Sequence, residues 1–101
     1  MKKAKTVISE SADFDLKEIA DWYNARNKKL IWTFLKDFKE KVKYISENPL
    51  ACEVRYENFR IVYLKKFPFG IHFKYDEKKN LIEIYSVFHT SRDPEIWKDR
   101  K

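Results

Sequence analysis

The spacing of apolar positions changes once along the chain. From residue 12 to residue 48 apolar residues recur at helical intervals, and beyond Pro49 they recur at every second residue. Before both regimes, Lys-Ala-Lys-Thr-Val-Ile at residues 3–8 reads as a short strand ending in β-branched residues. Ser9 and Ser11 are both suited to cap the helix that follows, and the acids behind them suit its positive end. At the helical period, Ala12, Leu16, Ile19, Ala20 and Tyr23 fall on one stripe, with Phe14 opposite it. Asn24 and Asn27 tolerate a left-handed backbone and place the helix end near them. A second helix is clearer. Leu30, Ile31, Phe34, Leu35, Phe38, Val42 and Ile45 fill an arc of about 140° at the helical period. Lys41 intrudes, but its stem can lie on the apolar face while the amine reaches water. Asn48-Pro49 stops this helix, because proline disfavours a helical backbone at the residue before it. Two amphipathic helices joined by a few residues predict an antiparallel hairpin.

After Pro49 the chain reads as strands. Cys52 to Tyr56 is a weak strand, Glu57-Asn58 a turn, and Phe59 to Leu64 a stronger strand apolar on both faces. Lys65-Lys66-Phe67-Pro68 interrupts. Phe69, Ile71, Phe73 and Tyr75 then alternate with Gly70, His72 and Lys74, and Asp76 to Asn80 forms a polar loop. Ile82, Ile84 and Phe88 alternate with Glu83, Tyr85, Val87 and His89. The expected fold is α+β: an N-terminal strand and a helical hairpin on one face of a twisted antiparallel sheet, with a short helical turn at the C-terminus. With Phe69, Ile71, Phe73, Ile82 and Ile84 turned to the helices, strict alternation sends His72, Lys74, Glu83, Tyr85 and His89 to the opposite face. Arg60 belongs to either face, because its strand has no clear parity.

Composition narrows the class. Of 101 residues, 44% are hydrophobic and 17% aromatic, too many for a disordered tail. One domain over residues 1–101 is expected at this length. No apolar run approaches the roughly 20 residues of a membrane span. Met1-Lys2-Lys3-Ala4-Lys5 leads into no signal-peptide core, so a cytoplasmic protein without membrane contact is expected. Cys52 stands alone, which excludes a disulfide or a cysteine zinc cluster within one chain. Charge is uneven. Glu10, Asp13, Asp15, Glu18 and Asp21 stand against Lys17 alone, a balance of −4, so the other residues of this +6 chain carry +10. Such a surface attracts nucleic acid or an acidic protein segment, or is simply a well-solvated exterior.

Candidate chemistry is sparse. One glycine cannot build a phosphate-binding loop, and two histidines without an acid at known spacing make no metal site, so no cofactor or metal is expected. Val87 to Arg100 gathers a titratable ring, a guanidinium and an indole. In a domain that meets RNA, Arg92 would hold phosphates, Trp97 would stack on a base, and His89 would exchange protons near neutral pH. The same residues suit structural roles: Asp93 as a cap, Arg92 in an ion pair, Trp97 closing the core.

The order of these pieces resembles the RelE/ParE superfamily of type II toxin–antitoxin toxins, also described as plasmid stabilisation proteins. The resemblance rests on Asp15-Leu16-x-Glu18-Ile19-Ala20-x-Trp22-Tyr23, Asn48-Pro49, Phe67-Pro68-Phe69, Val87-Phe88-His89 and Arg92-Asp93-Pro94-x-x-Trp97-x-x-Arg100. It implies a toxin neutralised by a cognate antitoxin with an acidic wrapping segment. RelE-like members cleave mRNA in the ribosome with basic residues on the free sheet face and after the last strand. ParE-like members poison DNA gyrase. Arg92 matches the arginine after the last strand of RelE-like toxins, His89 a histidine of some relatives, and Trp97 lies near their C-terminal tyrosine. Gly70 stands where RelE carries a strand arginine. The Phe-Pro-Phe and Arg-Asp-Pro-x-x-Trp signatures are more ParE-like, so a gyrase poison is the leading expectation. An mRNA endoribonuclease using His89 and Arg92, or a non-toxic basic binding module, are the alternatives. The target-facing candidates are Arg60, Lys65, Lys66, His72, Lys74, Tyr85, Trp97 and Arg100.

Overall fold

A computed structural model describes residues 3–91. The expected C-terminal turn, with Arg92, Trp97 and Arg100, lies outside the described residues. Strand β1 (Lys5–Ile8) leads through Ser9 into α1 (Glu10–Arg26), followed by α2 (Lys28–Glu47) and strands β2 (Val54–Tyr56), β3 (Phe59–Tyr63), β4 (Phe69–Asp76) and β5 (Leu81–His89).

The helix ends are set by short polar side chains. Of the two candidate caps, Ser9 is the one used: its Oγ accepts the N–H of Ala12 at 3.1 Å, satisfying an amide that the first turn leaves open. Asn27 alone joins the helices. Its N–H donates to the Tyr23 carbonyl at 2.7 Å, and its side chain accepts from the Lys29 N–H at 3.0 Å. The extended backbone of Asn27 (φ −161°, ψ 107°) breaks the helical path between the two helices. Asn48 closes α2 on the Tyr44 carbonyl at 2.9 Å, with Pro49 behind it.

The strands form one sheet in the order β1-β5-β4-β3-β2. Strands β2 to β5 are an antiparallel meander, turned at Glu57 and Asn58, both at positive φ, and beyond Asp76 through Asn80, also at positive φ. The N-terminal strand joins this sheet at its edge, where β1 pairs in parallel with β5, so the sheet is mixed. Parallel neighbours need a long connection, and the helices and three strands between them supply it. Both helices pack on one face. Ala12, Ile19 and Tyr23 of α1 and Phe34, Phe38 and Ile45 of α2 are buried against Val62, Leu64, Ile71, Phe73, Ile82, Ile84 and Val87. Phe14 lies on the outward side of α1, 58% exposed.

A bulge resets the last strand. His72 pairs with Ser86 but Phe73 pairs with Ile84, so Tyr85 is an extra residue in β5. Side chains beyond it change sides. Val87 joins the helix-side core and Phe88 turns to the opposite face, the reverse of strict alternation. The bulge falls where β1 ends, and α1 takes over that edge of β5. Ser9 Oγ donates to the Tyr85 carbonyl at 3.1 Å, and the buried Asp15 carboxylate accepts the Val87 N–H at 2.9 Å. A second buried carboxylate, Asp37 on α2, accepts the N–H groups of Lys65 and Lys66 at 3.1 and 2.7 Å and fixes the β3–β4 loop.

Candidate functional site

The sheet face away from the helices carries His72, Lys74, Glu83 and Tyr85, as alternation predicts, together with Phe59, Ile61, Tyr63, Gly70 and Phe88. It is an aromatic layer more than a cationic one, and Phe59, Ile61, His72 and Phe88 in it are buried. Tyr56 stacks on Phe59 with centroids 4.9 Å apart, Phe59 meets the Tyr85 edge at 5.2 Å, and His72 meets Phe88 at 5.1 Å. Lys74 lies over this layer, its Nζ 4.6 Å from the Phe59 centroid and 5.3 Å from that of Tyr85. The Tyr85 hydroxyl donates to Glu83 Oε2 at 3.2 Å, and burial followed by the Glu83 charge pushes its pKa up. Space is tight at Gly70: a Cβ would stand 3.0 Å from Ile61 Cγ2 and 3.3 Å from the Tyr63 ring.

His72 is enclosed within this face. It is 1% exposed, and burial drives its pKa down to about 4, so the ring is neutral near pH 7. Its Nδ1 lies 2.7 Å from the Tyr56 hydroxyl, whose own pKa burial and then Glu57 push up to about 12. The pair ties the edge strand β2 to β4.

The remaining candidates do not gather around His72. Arg60 pairs across the ladder with Phe73 and shares the helix-side parity of Val62; its guanidinium donates to the Cys52 carbonyl. Lys65 and Lys66 are exposed on the loop that Asp37 holds. His89 is displaced to the helix side by the bulge, against the expectation from alternation, with its ring 5.3 Å from Phe69. Its Nδ1 accepts the Ser91 N–H at 3.1 Å, which leaves Nε2 to carry the proton of the neutral ring.

His89 lines a groove of about 500 Å³ between α1 and the ends of β4 and β5, with Asp15, Glu18, Trp22, Tyr23 and Phe69. Trp22 is 52% exposed and carries the Arg26 guanidinium 3.6 Å from its ring centroid. In the sequence, Asp15 and Trp22 stand out only through the resemblance and Asp15 through the acidic count, and Asp37 not at all; no local pattern marks a carboxylate that bonds to backbone far along the chain. Among the described residues, no group of three His, Cys, Asp or Glu could hold a metal ion.

The same architecture is found in solved toxins. The chromosomal ParDE toxin–antitoxin system of P. aeruginosa matches with a TM-score of 0.74 at 20% identity, covering 88% of this chain and 98% of that one. The RelBE2 toxin–antitoxin complex of Mycobacterium tuberculosis matches at 0.61 and 14% identity, covering 91% and 97%. The isolated E. coli RelE toxin matches at 0.62 and 13% identity, covering 95% and 94%. A comparison with curated protein sequences finds no match. The helical hairpin on a five-stranded mixed sheet is thus the fold of the RelE/ParE superfamily toxins. The family described as ParE toxin of the type II toxin–antitoxin system, parDE, matches residues 7–94, and the chain belongs to that family: it is a type II toxin.

Proposed function

We propose that this toxin acts by binding a protein target, DNA gyrase, in the bacterial cytoplasm as one domain, and is held inactive by a cognate antitoxin. The observation that carries the proposal is the scatter of the nuclease candidates among the described residues. Cleaving a phosphodiester needs a proton-transfer group and cations converging on one phosphate. His72 is sealed against Tyr56 and Phe88, Arg60 is committed on the other side of the sheet, and His89 opens into the α1 groove. Membership of the ParE family supports the same choice.

Purified gyrase incubated with supercoiled plasmid, ATP and this toxin should accumulate cleaved DNA–gyrase complexes. No such complexes, together with cuts in translated mRNA that an Arg92→Ala variant abolishes, would overturn the reading in favour of a ribosome-dependent nuclease. The exposed Lys65 and Lys66 are what favours that second reading. Co-expression of the small protein encoded beside the toxin should restore growth, and a chain that never slows growth would refute both.

A further inference from the structure

The outward side of α2 carries a stripe that neither the core nor the sheet face uses. Lys28, Trp32, Lys36, Lys39 and Lys43 fall within an arc of about 80° at the helical period, opposite the buried Phe34, Phe38 and Ile45. The stripe runs about 22 Å along the helix at 1.5 Å per residue. No acid falls inside it. The four lysines are exposed and form no ion pair among the described residues. Trp32 is 75% exposed, the highest value among the large exposed hydrophobics of the described residues.

Two features show that folding alone does not account for this stripe. Lys28 and Lys29 occupy the first turn of α2 with no acid beside them, at the end where the helix dipole disfavours cations. And an indole left in water gives up the burial that would make so large a ring stabilising. Beside it lies a shallow groove of about 400 Å³, floored by Trp32 and Leu35 and rimmed by Lys36, Lys39, Glu40 and Lys43. It offers an apolar seat between ammonium groups.

We infer that this stripe is a docking surface for an acidic polypeptide segment of the cognate antitoxin, which lays an apolar side chain on Trp32 and Leu35 and aligns carboxylates with Lys36, Lys39 and Lys43. The inference rests on the antitoxin partner proposed above. A polypeptide fits better than a polyphosphate, because the floor takes an aliphatic or aromatic side chain, which a sugar-phosphate backbone does not present. Exposed indoles and desolvated charge pairs are where such interfaces concentrate their affinity.

Calorimetric titration of the full-length toxin with the protein encoded beside it tests this, using Trp32→Ala and the triple reversal Lys36→Glu/Lys39→Glu/Lys43→Glu. Both changes point to solvent, and circular dichroism should show the wild-type fold. Trp32→Ala should weaken binding about tenfold or more. The triple reversal should weaken it further and flatten its dependence on salt. If both variants bind within about twofold of wild type, the docking surface lies elsewhere and the inference falls while the antitoxin reading stands. If wild type itself does not bind the neighbouring protein, the antitoxin reading falls and takes the inference with it. If the variants keep that partner but lose retention on duplex DNA or on phosphatidylserine vesicles, the stripe recognises phosphate and the inference is overturned.

Discussion

Asp37 offers the sharpest test of how the loop before β4 is held. Its side chain is on the buried side of α2, 4% exposed, and each carboxylate oxygen accepts one backbone N–H, from Lys65 at 3.1 Å and from Lys66 at 2.7 Å. In Asp37→Ala both amides lose their acceptor. A hydrogen bond to a charged group contributes roughly 1.5–3 kcal/mol, but these bonds are part-buried and water reaches some of the vacated space. The loss should therefore be about 2–4 kcal/mol, a large part of the roughly 5–15 kcal/mol that holds a domain together. Asp37→Asn keeps one acceptor oxygen and turns an NH2 group toward the other amide, so it should fall between alanine and wild type. Lys65→Ala and Lys66→Ala remove exposed side chains, leave both amides bonded, and should stay within about 0.5 kcal/mol of wild type. Urea unfolding at constant slope measures all four. An Asp37→Ala midpoint equal to that of Lys65→Ala would refute the clamp.

Gly70→Ala should destabilise by about 1–3 kcal/mol, because the exposed Tyr63 ring can swing aside but the buried Ile61 methyl 3.0 Å away cannot; an unchanged melting temperature would contradict this. Burial holds the His72 pKa at about 4, below its ordinary 6.5, so protons bind the unfolded chain more readily. The stability it supports is complete above pH 6.5 and is lost as pH falls toward 4, by up to about 3 kcal/mol. Unfolding free energies across pH 7 to 4 should fall less steeply in His72→Phe, and equal slopes would show that His72 is not enclosed. Tyr56→Phe removes the hydroxyl 2.7 Å from His72 Nδ1 and should cost about 1–3 kcal/mol, read from the same curves.

The elements were legible because each is announced by a local rule. Ser9, Asn27 and Asn48-Pro49 mark helix ends through their own side chains or ring, and the change of period after Pro49 marks the strands. What sequence could not reveal depends on residues far apart. The parallel pairing of β1 with β5 is invisible in four residues of β1. The bulge at Tyr85 is equally hidden, since Ile82, Ile84 and Phe88 keep an even spacing that strict alternation reads as one face. Nothing local says that Asp15, 72 residues away, accepts the Val87 N–H and supports the shifted strand. That one extra residue moves His89 off the sheet face that carries His72 and Lys74, and so parts the two histidines that strict alternation put on one side.

Asp15 and Asp37 also change what charge counting means. Both enter the sequence tally as surface acids, and both are buried acceptors of backbone N–H groups. Without Asp15, α1 presents Glu10, Asp13, Glu18 and Asp21 against Lys17 and Arg26, a balance of −2. Without Asp37, α2 presents Lys28, Lys29, Lys36, Lys39, Lys41 and Lys43 against Glu40 and Glu47, a balance of +4. The outer surface of the hairpin is therefore divided by sign, acidic along α1 and basic along α2, more sharply on α2 than the sequence suggests. A partner crossing both helices would need both signs in register. An acidic segment avoids that constraint only by running along α2, which is why reversal of Lys36, Lys39 and Lys43 should weaken an antitoxin far more than reversal of Glu10, Asp13 and Asp21, and equal losses from the two sets would mean the partner crosses the hairpin instead.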